Sequence, residues 1–258
     1  MNLQLILLSL PLTSESGGGF TQFFINLYLQ LSDQFQQCFV EQNRYLYIVE
    51  GLKNTLLITV FAVLLGVVLG TLVALVKVGH GNNPKKLRFA NTVCSLYLTL
   101  IRGTPVVVQL MIMYYVILSQ TKVNDITAAI LAFGINSGAY VAEVIRSGIQ
   151  SVDKGQIEAG RSLGLSQRTT MVKIVFPQAL KNVLPAIGNE FIALLKETSV
   201  AGYIGIQDLT KGGDVIRSIT YLAFTPLLTT AAVYLVVVIG LTAVLTKLER
   251  RLHRSDNR

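Results

Sequence analysis

Apolar residues in this chain come in long runs, without the strict alternation of a half-buried strand. A helix crosses a bilayer with about 20 mostly apolar residues. The run from Asn54 to Val76 contains no charge and predicts a first span. A second runs from about Phe89 to Leu118, interrupted by Arg102. A third, from about Ile126 to Ile145, carries Glu143. The fourth starts near Pro177 and is the most polar, with Glu190, Lys196 and Glu197. The fifth, from about Leu222 to Leu245, is uncharged. The pattern predicts an all-α integral membrane protein with five transmembrane helices.

The segment before the first span reads differently. Residues 1–12 are apolar but too short to span, and they lack the basic start of a secretory signal. Ser14 to Gly19 is a flexible break. Phe20 to Val40 mixes Phe, Leu and Ile with Gln, Asn and Asp, which suits a helix lying in the membrane interface. Residues 1–50 are therefore expected to form an extracytoplasmic or interfacial extension, 51–250 the transmembrane domain and 251–258 a basic tail. Within the first span, Ala62, Gly66, Gly70 and Ala74 recur every four residues. Small residues on one helix face let another backbone approach closely, either within the subunit or from a second one.

Composition supports this reading. Hydrophobic residues make up 52% of the 258, and charged residues only 14%. A disordered chain, a disulfide scaffold and an ordinary soluble enzyme are excluded. Basic residues number 22 against 14 acidic ones, a net charge of +8. On a soluble chain that excess would suggest nucleic acid; here its position assigns topology instead. Lys77, Lys85, Lys86 and Arg88 follow the first span. Arg146, Lys154, Arg161, Arg168, Lys173 and Lys181 lie between spans three and four, and Lys247, Arg250, Arg251, Arg254 and Arg258 follow the fifth. The positive-inside rule puts this group in the cytoplasm, with the N-terminus outside and the C-terminus inside. Cys38 and Cys94 form no framework, and the two histidines have no Cys or His nearby that would suggest a metal site.

The segment between spans three and four reads Gln156-Ile157-Glu158-Ala159-Gly160-Arg161-Ser162-Leu163-Gly164-Leu165 and continues to Ile174-Val175-Phe176-Pro177-Gln178-Ala179. It predicts a short helix stopped by a left-handed Gly164, with Pro177 starting the next helix. These residues resemble the EAA loop of ATP-binding-cassette importer permeases. Glu158 and Ala159 stand at the motif's start, Gly164 follows at the required spacing, and Ile174 and Pro177 complete it. Gly160 replaces a small residue and Phe176 replaces Leu. Arg161-Ser162-Leu163-Gly164, Arg102-Gly103-Thr104-Pro105, Gly138-Ala139-Tyr140 with Ala142-Glu143, and Lys196-Glu197-Thr198-Ser199 resemble the polar-amino-acid branch. The likeness covers roughly residues 50–250.

The resemblance implies the type I importer fold in a bacterial plasma membrane. Its partners would be two ATPase subunits, a second permease subunit in a homodimer or heterodimer, an extracytoplasmic amino-acid-binding protein and membrane lipid. Glu158, Ala159, Arg161 and Gly164 would dock the short helix into the ATPase. The chain has no Gly-x-x-x-x-Gly-Lys-Ser/Thr phosphate loop, so it carries no cofactor of its own, and ATP and Mg would belong to the ATPase.

Charges inside a span are costly and default to functional candidates. An amino acid needs a cation for its carboxylate and an anion for its ammonium group. Asn136, Tyr140, Glu143 and Ser147 share one face of the third span. Lys196, Glu197 and Ser199 close the fourth, with Asn189 nearly on the Lys196 face. Lys196 would take the carboxylate. Glu143 or Glu197 would take the ammonium group or hold Lys196 between cycles. An interhelical ion pair without substrate contact is the alternative. Arg102 beside Thr104-Pro105 marks a kink in the second span, either a gate or a plain bend. Tyr203 to Thr220 reads as an outer loop that receives the binding protein. A gradient-driven secondary amino-acid transporter would also use buried carboxylates, but it has no use for the EAA segment.

Overall fold

The structure, a computed structural model, describes residues 18–82, 85 and 87–253. The apolar stretch 1–12, most of the break that follows it, Lys86, Arg254 and Arg258 lie outside the described residues. The described residues form ten helices joined by short turns, without strands. They are α1 (Gly18–Phe35), α2 (Tyr45–Asn82), α3 (Arg88–Arg102), α4 (Val106–Ile112), α5 (Asp125–Gln150), α6 (Lys154–Ser162), α7 (Gln167–Thr170), α8 (Phe176–Glu197), α9 (Leu209–Thr220) and α10 (Phe224–His253).

Three helices, α2, α5 and α10, are long and apolar enough to cross a membrane, and α3 with α4 makes a fourth if the bent pair counts as one span. The 22 residues of α8 reach about 33 Å, enough to span by length, but Glu190, Lys196 and Glu197 keep it too polar to qualify by composition.

The second predicted span is broken, not merely kinked. Its halves meet at 109°. The proline ring disfavours helical backbone at Thr104, so α3 ends at Arg102 and Pro105, in extended conformation, starts α4. The carbonyls freed by the break are met by one side chain. Gln109 Nε2 lies 2.7 Å from Ile101 O, 3.0 Å from Thr104 O and 2.8 Å from Thr104 Oγ1.

The α2–α5 pair forms the spine, and the small-residue stripe makes it possible. A Cβ on Gly66 would sit 2.8 Å from Ser137 Oγ, and one on Gly70 would sit 2.8 Å from the backbone nitrogen of Ala142. Ala62 and Ala74 are buried in the same seam. Of the two uses open to the stripe, packing within the subunit is the one observed. Phe133 is fully buried at the centre, with Ile58, Leu110 and Leu194.

The expected outer loop is mostly helical. Thr198–Ile204 forms a 3-10 turn and Gly205 turns the chain at φ +84°. Asp208 then caps α9, accepting from the backbone N–H groups of Thr210 and Lys211. Two glycines of this segment serve close packing. A Cβ on Gly212 would run into Tyr47 O, and one on Gly213 into Thr230 Oγ1. The extension joins this end of the bundle. α1 runs into a π turn, Gln36–Val40, whose Cys38 and Phe39 pack with Ile48, Leu209 and Ile216, while Thr225 Oγ1 donates to Gln34.

Candidate functional site

Two groups of functional candidates emerge, on different parts of the bundle. The first is α6, a nine-residue helix between α5 and α8. Asp153 caps its start by accepting from Gly155 N–H. Its end is a Schellman motif: Leu165 N–H donates to Gly160 O at 3.1 Å and Gly164 N–H to Arg161 O at 3.0 Å, with Gly164 left-handed at φ +82°. Arg161 Nη1 donates to Leu165 O at 3.0 Å and braces the same turn. The inner face rests on the turns that lead into α8. Gly160 is buried, and a Cβ there would lie 3.0 Å from Ile174 and Thr170. The outer face is free: Glu158, Ala159, Arg161 and Gly164 are all exposed.

Leu163 joins them at 82% exposure. A large apolar side chain held out on a capped helix end has no role inside this chain. The sequence reading rested on the charged and small residues of the motif and gave Leu163 no role. Its signal was an apolar residue directly before a helix-stopping glycine.

The second group runs along α5 and α8. Ser137 Oγ donates to Glu190 Oε1 at 3.1 Å and fixes the level at which these helices meet. Asn136 Nδ2 donates to Gln109 Oε1 at 2.9 Å, tying α5 to the break between α3 and α4. Tyr140 and Glu143 lie further along α5, beside α3. Glu143 Oε2 accepts from Arg146 at 2.6 and 3.1 Å, and Arg102 Nη1 stands 3.8 Å from Glu143 Oε1. The Arg102 guanidinium lies 5.7 Å from the centre of the Tyr140 ring. These groups, with Lys77, Ser95 and Thr99, line an open cleft of about 570 Å³.

Lys196 and Glu197 are exposed at the far end of α8. Ser199 is half-buried in the 3-10 turn and lines a separate pocket of about 370 Å³ with Tyr203, Asp208 and Lys211. Glu143 and Lys196 are therefore not brought together. Each is six residues from the Ser137–Glu190 contact, on antiparallel helices and in opposite directions. At 1.5 Å per residue they are about 18 Å apart along the bundle. The charged groups of one α-amino acid cannot span that distance. Within this chain Glu143 holds Arg146 and Arg102, not Lys196. Ser147, expected on the polar face, donates to Val144 O. Sequence reasoning missed Gln109 and Ser137. Gln109 left a trace as the lone amide in the apolar run from Val106 to Leu118.

On the capped side, burial pushes the Asp208 carboxyl above its ordinary value, opposed by the N–H groups it accepts from. The half-buried Asp214 carboxyl is held low by hydrogen bonds from Arg217 and Lys211. Among the described residues no group of three or more His, Cys, Asp or Glu could hold a metal ion.

Comparison with known proteins adds independent findings. Residues 66–254 match the family described as "Binding-protein-dependent transport system inner membrane component". The arginine transport system permease protein ArtQ of Bacillus subtilis is 37% identical over 212 residues, 81% of this chain and 94% of that one. The glutamine transport system permease protein GlnP of Escherichia coli is 36% identical over 208 residues, 80% of this chain and 92% of that one. The crystal structure of an amino acid ABC transporter with histidines is 43% identical, with a TM-score of 0.74 over 83% of this chain and 98% of that one. The inward-facing MetNI methionine ABC transporter shares the fold, with a TM-score of 0.66 at 22% identity, covering 80% of this chain and 95% of that one.

Proposed function

The chain belongs to the binding-protein-dependent transport system inner membrane components, and from that premise we propose how its parts divide the work of an amino-acid importer. It is a multi-pass membrane permease of an ATP-binding-cassette importer for polar amino acids. The gradient-driven alternative falls with that membership. The finer assignments are our reading.

The observation that carries the reading is the build of α6: capped at both ends, seated on the approach to α8 through the buried Gly160, and exposed at Glu158, Ala159, Arg161, Leu163 and Gly164. Such a helix transmits displacement because it has no slack at either end. It docks into a separate ATPase subunit, which holds the ATP and its magnesium. Glu158 and Arg161 supply rim charges, and Ala159 and Gly164 permit close approach. The basic ends of α2, α5 and α10 face the cytoplasm, which places the N-terminus outside. A second permease subunit completes the pathway, and a binding protein delivers solute at the opposite end, where α9 and the Ser199 pocket lie.

Within the pathway, the residues proposed for substrate form stations instead of one site. Lys196, Glu197 and Ser199 stand toward the outer end. Asn136, at the level of the Ser137–Glu190 contact, is the middle station. Tyr140 and Glu143, with Arg102, stand toward the inner end. Each inner or outer station holds a cation and an anion, which suits a zwitterion. The arginine and glutamine relatives point to a polar α-amino acid.

The test is purification of the tagged chain in mild detergent with its host ATPase, followed by reconstitution. The expected result is an equimolar ATPase and ATP-dependent uptake of an amino acid, both lost with Gly164→Val. A stable permease that binds no ATPase even after gentle crosslinking would refute the assignment of α6.

A further inference from the structure

Where α2 passes into α3 there is a pocket that neither α6 nor the α5–α8 stations use. His80, Lys85, Arg88, Asn91 and Thr92 line about 540 Å³. Among the described residues the lining holds two cations, an imidazole and an amide, and no carboxylate; the Thr92 hydroxyl donates to Arg88 O at 3.0 Å. That set is complementary to an anion able to accept several hydrogen bonds, and phosphate oxygens are such acceptors.

The surface beside the pocket is apolar. Phe89, Val93 and Leu96 are all exposed, Phe89 at 84%. Their spacing of four and three puts them on one stripe of α3, next to the stripe that carries Arg88, Asn91 and Thr92. Leu72 and Leu75 of α2 are exposed as well. The same short stretch of helix thus offers an anion pocket and, one stripe over, a track that needs hydrocarbon. A free anion satisfies only the first and a neutral lipid only the second.

We propose that this pocket binds the phosphate headgroup of an anionic phospholipid of the inner leaflet, with an acyl chain lying along the Phe89–Val93–Leu96 stripe. Basic pockets between membrane helices on the cytoplasmic side are suited to such headgroups. The site is separate from the transport stations: Lys77, the nearest basic residue of the 570 Å³ cleft, is engaged by Ser95 at 2.8 Å. Its leaflet rests on the basic ends facing the cytoplasm; its chemistry does not.

The test is native mass spectrometry of the delipidated full-length chain, in complex with its ATPase, after adding phosphatidylglycerol or phosphatidylcholine at equal mole fraction. Phosphatidylglycerol should be retained preferentially. Each Lys or Arg near an anionic lipid surface is worth about five-fold, so K85Q/R88Q should lower retention about 25-fold. R168Q/K173Q removes the same charge from exposed positions that line neither this pocket nor the 570 Å³ cleft, and should lower retention less than K85Q/R88Q does. Phe89→Ser, which keeps every charge, should also lower it. Lys85, Arg88 and Phe89 are exposed, so the fold stands in each variant. Equal retention of the two lipids, equal losses in the two charge variants, or displacement by millimolar inorganic phosphate would each overturn the proposal. Amino-acid uptake in the same preparations reports on the importer assignment independently.

Discussion

Leu163→Asp separates docking from folding. Leu163 is 82% exposed at the end of α6 and takes no part in the described apolar core clusters. Its replacement should leave the permease's own thermal unfolding unchanged, since little burial is lost. Docked against an ATPase the same side chain is covered. Covering a leucine is worth about 1.5–3 kcal/mol. Around 2 kcal/mol corresponds to roughly 30-fold in Kd, and a buried unpaired carboxylate adds to the loss. The assay is equilibrium binding of the purified ATPase to the detergent-solubilised permease, alongside an unfolding curve for each variant. Glu158→Gln, at the exposed rim, serves as the comparison and should shift Kd only about two- to five-fold, as surface ion pairs do. If Leu163→Asp binds within about two-fold of the parent chain, Leu163 is not covered in the complex and the docking face has been misassigned.

Four further outcomes are expected. Asp208→Ala should destabilise by about 1 kcal/mol through loss of the α9 cap, whereas Asp208→Asn keeps the acceptor and should not, as read by thermal unfolding in detergent. Because burial raises the Asp208 carboxyl above its ordinary value of 3.8, the stability gained from holding it protonated is full below that pH and is lost as pH rises through the raised value, while the cap acceptor itself remains. Unfolding temperature relative to Asp208→Asn should therefore fall as pH rises from about 4; a flat difference would contradict the burial argument. Gly70→Val should cost at least about 1–3 kcal/mol, because its Cβ would press on α5 backbone that cannot yield, and folded yield with Gly70→Ala as the milder step measures it. Lys196→Met should abolish substrate-stimulated uptake while the complex still assembles, since the exposed Lys196 supports no packing; normal uptake would remove it from the pathway.

Much of the fold was legible in local pattern. The apolar runs at α2, α5 and α10, the glycine stop of α6 and the proline start of α8 depend on residues close in sequence. The segment around Pro105 was legible only in part. Proline announces a bend, but the angle of 109° is set by where Gln109 finds the freed carbonyls and where Asn136 holds Gln109. The outer segment misled for a similar reason. Gly212 and Gly213 have the composition of a loop, yet their missing side chains admit the Tyr47 backbone and Thr230.

Legible from the amino-acid order alone were the class of molecule, its membrane character, the short helix α6 and the residue types proposed to meet a zwitterion. These follow from hydrophobicity, charge and short-range spacing, which one strand of text contains. Tertiary structure alone decided which charges meet. The antiparallel crossing of α5 and α8 at Ser137–Glu190 carries Glu143 and Lys196 apart in opposite directions, and the packing of α3 beside α5 adds Arg102 to the partner that Glu143 has three residues on in Arg146. Helical periodicity says which residues share a face. The level at which two helices cross is fixed by packing between residues 53 positions apart, which no local pattern records.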